Sequence, residues 1–364
     1  MVFLGVILSI FGLSLLGEGV SQIENRSLAP YPDFEVSKLA DPAYYKAVNT
    51  YLKDHLAERA AFVEANTAVM ILAFRQSPNP DVYLGSNGWL FAAHPEQCAG
   101  VPPNVTAERL IAIGKDLRAS GRRLVVLVAP SKETVYPEHL GYFAPAWSRC
   151  VIQQTDELRN DLQRAKDIDV LDALGLLRAL KRSPQEPLYF RTGSHWTEAF
   201  SPLVSRDLVD TLKPGLWQQT ALRTVRTSMT VGDLSLMLGA PSFEAAKELE
   251  VRRNKIRTRL VEKGFCPLYG PGCLYRYHSV GPPGTLISDR TTVIHDSFVP
   301  PMLPPYFSDI TFVAWSKDKA WDDMLAESIR RSRVVVIVSY EPYLADRMAN
   351  LAAEGRLRPI FRPK

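Results

Sequence analysis

The chain is poor in the residues that announce a function most directly. Its 364 residues include four cysteines and six histidines. The six-residue gap between Cys266 and Cys273, with no histidine beside it, argues against zinc. Nothing resembles a metal-ligand cluster or a glycine-rich phosphate loop, so neither a metal nor a cofactor is expected. A net charge of +4 is too small to point to nucleic acid. No repeat of 20–50 residues and no low-complexity tract is found, which excludes solenoids and compositionally biased tails. One absence is local: Met1 to Gly17 carry no charged side chain. Such a run fits the core of a signal peptide or a minimal membrane anchor, so residues 1–21 are set apart from the fold.

What is present describes a packed, exported α/β protein. Hydrophobic content of 46% and charged content of 23% allow a substantial core. An even cysteine count suits an oxidising compartment, and the pairs Cys266–Cys273 and Cys98–Cys150 are expected disulfides. Residues 22–104 read as a lead-in, a helical stretch over 41–75 and a hairpin. The hairpin signal is Ser86-Asn87-Gly88 between two short apolar runs. From about residue 105 helices and strands alternate. Leu124 to Ala129, Thr291 to Ile294 and Val334 to Val338 are continuous apolar runs of the kind buried in a parallel sheet. A helix is expected from Trp196 to Leu212, with its apolar residues on one stripe. Residues 243–290 are charged and then rich in glycine and proline, and read as an insertion in an α/β domain spanning 105–364. The order favours a doubly wound, three-layer fold.

Chemistry is expected at two separated points. Thr291 to Ile294 leads straight into Asp296-Ser297, which puts a serine at the carboxyl end of a buried strand, where ligands of open α/β sheets collect. Ser297 is the candidate nucleophile; the bland alternative for Asp-Ser after a strand is a helix cap. His195, in Ser194-His195-Trp196-Thr197, is the candidate base, and His295 is a reserve. Lys132, in the loop after the strand 124–129, is a candidate for substrate binding, as are Asp296 and Trp196.

Taken together, these residues resemble the AlgX/AlgJ-type SGNH-hydrolase-like family of exported polysaccharide O-acetylation proteins. The ordered blocks are Asn25 to Pro30, Asp54 to Arg59, Gly85 to Phe91, Ala129 to Lys132 with Tyr136 to Glu138, Ser194 to Thr197, Gly232 to Leu238, and Asp296 to Phe298. The resemblance implies an SGNH-like α/β/α core with a mostly parallel sheet and a location in the periplasm, with N-terminal contact to the inner membrane. It implies acetyl transfer to hydroxyls of an alginate-like polysaccharide, served by a membrane-embedded acetyl-donor partner and the export machinery. It also implies a triad of serine, histidine and an aspartate two residues before that histidine. Ser297 and His195 match the first two, but the aspartate position is Gly193. Removing the orienting acid from such a triad lowers kcat by roughly 10⁴, about 5.5 kcal/mol of barrier. Three outcomes are open. Another acid substitutes, Glu198 being the nearest downstream. A serine–histidine dyad suffices. Or the fold persists as a binding or scaffold component without the reaction. An acetyl esterase would use the same residues with water as acceptor.

Overall fold

A computed structural model describes residues 29–55, 59–142, 144–182, 187–266, 270–316 and 319–353. The apolar N-terminal run lies outside them, as do the side chains of Cys266 and Cys273. In chain order the elements are α1 (Pro42–Asp54), α2 (Arg59–Phe74), β1 (Val82–Leu84), β2 (Leu90–Ala92), α3 (Pro103–Ala119), β3 (Arg123–Ala129), α4 (Lys132–Val135), α5 (Ala146–Gln163), β4 (Asp169–Leu171), α6 (Ala173–Lys181) and α7 (Ser201–Leu212). There follow β5 (Ala221–Val231), α8 (Asp233–Met237), β6 (Phe243–Arg252), β7 (Arg257–Cys266), β8 (Gly270–Val280), β9 (Thr291–His295), β10 (Asp309–Ala314), α9 (Lys319–Arg331), β11 (Val334–Tyr340) and α10 (Glu341–Ala353). Contacts divide the chain into two units. Of the described residues, the smaller comprises those between 29 and 93 with 191–194 and 229–244, and the larger holds the rest.

The larger unit is built on a seven-stranded sheet in the order β4-β3-β11-β9-β10-β8-β7. The first five strands run parallel, and β8 and β7 join antiparallel at one edge. All seven residues of β11 are buried, and five of the seven in β3. A strand covered on both faces cannot alternate polar and apolar residues, which is why these segments read as unbroken apolar runs. Leu124 and Val126 of β3 and Val335 and Ile337 of β11 face one core with α3, α5, α9 and α10. On the other side α6 packs on β3 and α7 on β4. Burying each such Leu, Ile or Val stabilises the fold by about 1.5–3 kcal/mol. This is the expected three-layer α/β/α arrangement.

Three differences from the sequence expectation have local causes. The stretch 243–290 supplies β6, β7 and β8, and the last two extend the sheet. The helix expected from Trp196 starts at Ser201, because Trp196 pairs with Tyr189 in a bridge and Pro202 occupies the first turn. The helical stretch 41–75 is two helices, the first ending at Asp54. Cys98 and Cys150 are bonded, tying the turn at Pro95–Ala99 to α5.

In the smaller unit, β1 and β2 form the expected hairpin, with Leu84 opposite Leu90. Its turn places Asn87 at φ 54° and Gly88 at φ 75°. That is left-handed backbone, which Asn and Gly adopt most readily. Val82, Leu90, Leu234 and Leu238 form this unit's core. Among the described residues no helix is long and apolar enough to cross a membrane.

Candidate active site

In the larger unit the carboxyl ends of three neighbouring strands carry the chemistry-bearing residues. Ser131 and Lys132 follow β3, Glu341 follows β11, and Asp296 and Ser297 follow β9. Ser297 is exposed at the tip of its turn. The turn is shaped by Asp296, whose Oδ1 accepts the Phe298 N–H at 3.0 Å and whose backbone carbonyl accepts the Val299 N–H at 3.2 Å. The other carboxylate oxygen, Oδ2, accepts the Tyr340 N–H at 2.6 Å and an N–H of Arg347. Among the described residues, no acceptor takes the N–H of Ser297 itself.

His195 is brought to this turn from 102 residues away in sequence, with Nε2 at 2.7 Å from Ser297 Oγ. Its ring stacks on Phe298 (centroids 4.7 Å apart, 22° between planes), and Phe298 stacks in turn on Tyr340 (4.8 Å, 7°). Trp196 meets Phe298 edge-on at 5.0 Å. The backbone around His195 doubles back on itself like a short ladder. The Phe190 N–H donates to the His195 carbonyl at 3.1 Å and the Thr197 N–H to the Leu188 carbonyl at 2.8 Å.

That ladder rests on polar groups from the end of β3. Lys132 Nζ donates to the Phe190 carbonyl at 2.9 Å, the Tyr136 hydroxyl accepts the Leu188 N–H at 2.9 Å, and the Tyr189 hydroxyl donates to the Pro130 carbonyl at 2.7 Å. Lys132 is only 2% exposed. As a buried ammonium donating to a backbone carbonyl, it braces the histidine's hairpin, whereas its sequence position suggested a cleft-lining group. Trp196 is likewise buried, and both oxygens of Asp296 are engaged within the protein. The reserve base His295 turns its Nδ1 to the Asp296 carbonyl (2.9 Å), and burial holds its pKa below the usual value. Glu198 Oε2 accepts the Lys247 N–H at 3.4 Å.

Within the smaller unit, the residues leading up to His195 are held by two carboxylates. Glu244 accepts the N–H groups of Arg191 and Thr192 and the Thr192 hydroxyl, all within 2.7 Å. Asp233 accepts the Ser194 N–H at 2.7 Å and its hydroxyl at 2.5 Å. Gly232 permits this: a Cβ there would lie 2.3 Å from Thr192 Oγ1 and 2.4 Å from its carbonyl oxygen. Neither acid was singled out as a functional residue from the sequence. Asp233 lies in the block Gly232–Leu238, which was its only sequence signal.

Two carboxyls in the larger unit are buried next to these elements in sequence. Burial pushes Glu133 up to about 7. Burial, with the charge of Glu133, pushes Glu341 up to about 8.

Comparison with known proteins bears on the family and the fold. Residues 82–264 match the family model of the SGNH hydrolase-like domain of the acetyltransferase AlgX. The match includes His195 and Asp233 and ends before Ser297. The probable alginate O-acetylase AlgJ of Pseudomonas fluorescens is 27% identical over 208 residues, 55% of this chain and 52% of that protein. Its namesake from Pseudomonas aeruginosa is 32% identical over 133 residues, 35% of this chain and 32% of that protein. The chain thus spans about half the length, or less, of these two relatives. Among solved structures, the O-acetyltransferase domain of Pseudomonas putida AlgJ superposes with a TM-score of 0.50 at 18% identity, covering 73% of this chain and 92% of that one. That likeness speaks for the fold alone.

Proposed function

The chain belongs to the AlgX/AlgJ family of SGNH hydrolase-like proteins, and from that premise we propose that it transfers acetyl groups to hydroxyls of an exported, alginate-like polysaccharide. The observation that carries this reading is the 2.7 Å approach of His195 Nε2 to the exposed Ser297 Oγ. A serine hydroxyl becomes nucleophilic when a base takes its proton in the transition state. With its own proton on Nδ1, His195 presents Nε2 as that base.

In the first half-reaction Ser297 Oγ attacks the acetyl carbonyl of the donor and His195 takes the hydroxyl proton. The N–H of Ser297 stabilises the developing oxyanion. The tetrahedral intermediate collapses, the donor's leaving group departs with the proton held by His195, and Ser297 carries the acetyl ester. In the second half a sugar hydroxyl attacks that ester, His195 again accepts the proton, and collapse returns it to Ser297 Oγ. The product is the O-acetylated sugar, and every proton is accounted for. The imidazolium formed midway lies over the Phe298 face, where a ring quadrupole favours a cation.

Gly193 leaves the triad's acid position without a side chain. The stack on Phe298 and the hairpin braced by Lys132 and Tyr136 orient the ring by packing and backbone pairing. The Cys98–Cys150 disulfide supports a periplasmic location. The acetyl donor is made in the cytoplasm, so a membrane-embedded partner would deliver the acetyl group.

The test is acetyl-ester turnover on a chromogenic acetate by wild type, Ser297→Ala and Gly193→Asp. Turnover abolished by Ser297→Ala supports the mechanism. Turnover that persists in that variant overturns it. Gly193 also favours a second reading, a polysaccharide-binding or scaffold component without chemistry. An inert wild type that gains turnover in Gly193→Asp would decide for it.

A further inference from the structure

Asp296 was expected to contact substrate, yet its carboxylate is committed three times within the protein. It takes the Phe298 N–H of its own turn, the Tyr340 N–H at the end of β11, and Arg347 from α10. Arg347 is itself closely held. The same nitrogen donates to Ser339 Oγ at 2.7 Å, and the guanidinium lies 5.3 Å from the Trp315 ring and 5.4 Å from that of Tyr343. The Trp315 indole is pinned in turn to the Val338 carbonyl at 3.1 Å. The two charged side chains are 17% and 10% exposed, so neither is well compensated by water. Removing one partner of so shielded a pair leaves the other as an uncompensated charge.

The geometry around this pair points directly at the reacting atoms. Asp296 adjoins Ser297. Its two other donors belong to Phe298 and Tyr340, the rings that stack in series beneath His195. We propose that Arg347 is a positioning residue for acyl transfer: through Asp296 it holds the turn that presents Ser297 and registers that turn against the Tyr340–Phe298–His195 stack. This rests on the serine–histidine reading above. Arg347 touches no reacting atom. It acts by keeping the nucleophile and base in line, where a displacement near 1 Å lowers rates by about 10²-fold.

The experiment compares wild type, Arg347→Met and Arg347→Lys in three measurements: kcat and KM for a small acetyl ester, thermal midpoint, and the NMR titration of the His195 imidazole. Arg347→Met is expected to lower kcat about 10- to 100-fold with KM changed less than twofold, and to alter the His195 titration. Arg347→Lys, which keeps the charge but not the planar fork, is expected to recover part of both. A lowered midpoint with kcat and the His195 titration unchanged would overturn the proposal and leave Arg347 a structural strut. If Arg347→Met does not fold, the same comparison is made with Arg347→Lys alone, where an unaltered kcat and titration again overturn it. If wild type shows no turnover, the acetyl-transfer reading fails. The His195 titration then decides the positioning claim: an altered titration in Arg347→Met supports it, and an unaltered one overturns it.

Discussion

The two halves of the serine–histidine pair are held in place by different means. Ser297 sits at the end of a central parallel strand, and its turn is wired to the next strand and to α10 through one carboxylate. His195 sits on an irregular hairpin between residues 188 and 197, propped by a buried ammonium and two tyrosine hydroxyls from or onto the end of β3. The nucleophile's position follows from the sheet, whereas the base depends on ring stacking, two backbone rungs and side-chain props outside it. The histidine side is therefore expected to be the more easily displaced, and its buried polar groups to matter for rate beyond their share of stability.

Substitutions can break this comparison, beginning with the pair itself. Ser297→Ala or His195→Ala should each reduce acetyl-ester turnover by about 10³–10⁴-fold, and the double variant should lose little more, because the two act as a unit. Steady-state kinetics on the three variants check this. Next in size is the disulfide, distant in kind from either half. Opening the Cys98–Cys150 link, which closes a 52-residue span, with Cys98→Ser/Cys150→Ser should lower stability by about 4 kcal/mol in the chain-entropy account. Denaturant titration reads the loss, and kcat of the folded fraction should be unchanged. Lys132→Met should cost about 1–3 kcal/mol, since the Phe190 carbonyl loses a buried donor. If the histidine side is indeed the looser half, kcat should fall further than stability alone accounts for.

The smallest effect, taken per pH unit, is a pH dependence of stability. Glu133 and Glu341 stay protonated in the folded protein up to about 7 and about 8, whereas in the unfolded chain they ionise near 4.5. Between those values the unfolded state binds fewer protons, so stability falls as pH rises, by up to about 1.4 kcal/mol per pH unit for each group. The contribution is complete below about 4.5 and lost above the folded values. Glu133→Gln and Glu341→Gln should each flatten the curve of thermal midpoint against pH between 5 and 8. An unaltered slope in both variants would refute the assignment.

How much of this was legible in the sequence depended on whether the determinant was local. The runs at 124–129, 291–294 and 334–338 announced central strands because burial on both faces leaves no polar alternation to confuse them. Ser297 followed, as the residue just past such a run. β7 and β8 were read as an insertion because residues 257–263 are exposed and largely charged or polar, so their pairing with the sheet leaves no hydrophobic signature. His195 stood out by its Ser194-His195-Trp196-Thr197 turn and then by resemblance, since a histidine in a turn has no periodicity to betray its partner. Arg347 left no trace for the same reason, and Asp233 and Tyr136 showed only as members of the blocks Gly232–Leu238 and Tyr136–Glu138, with no sign of what they hold. Their bonds span 51, 39 and 52 residues, and nothing in the intervening chain encodes them.

The exposed edge has a consequence for the molecule among its own copies. Among the described residues β7 ends the sheet with no strand on its outer side, and a strand left so could recruit another chain and let the sheet grow without limit. Arg257, Arg259 and Lys263 stand along that border. A second copy aligning there would bring like charges together and strip water from them, so the row acts as a terminator. The charges that hid this strand from a sequence reading are the ones that oppose pairing at this edge.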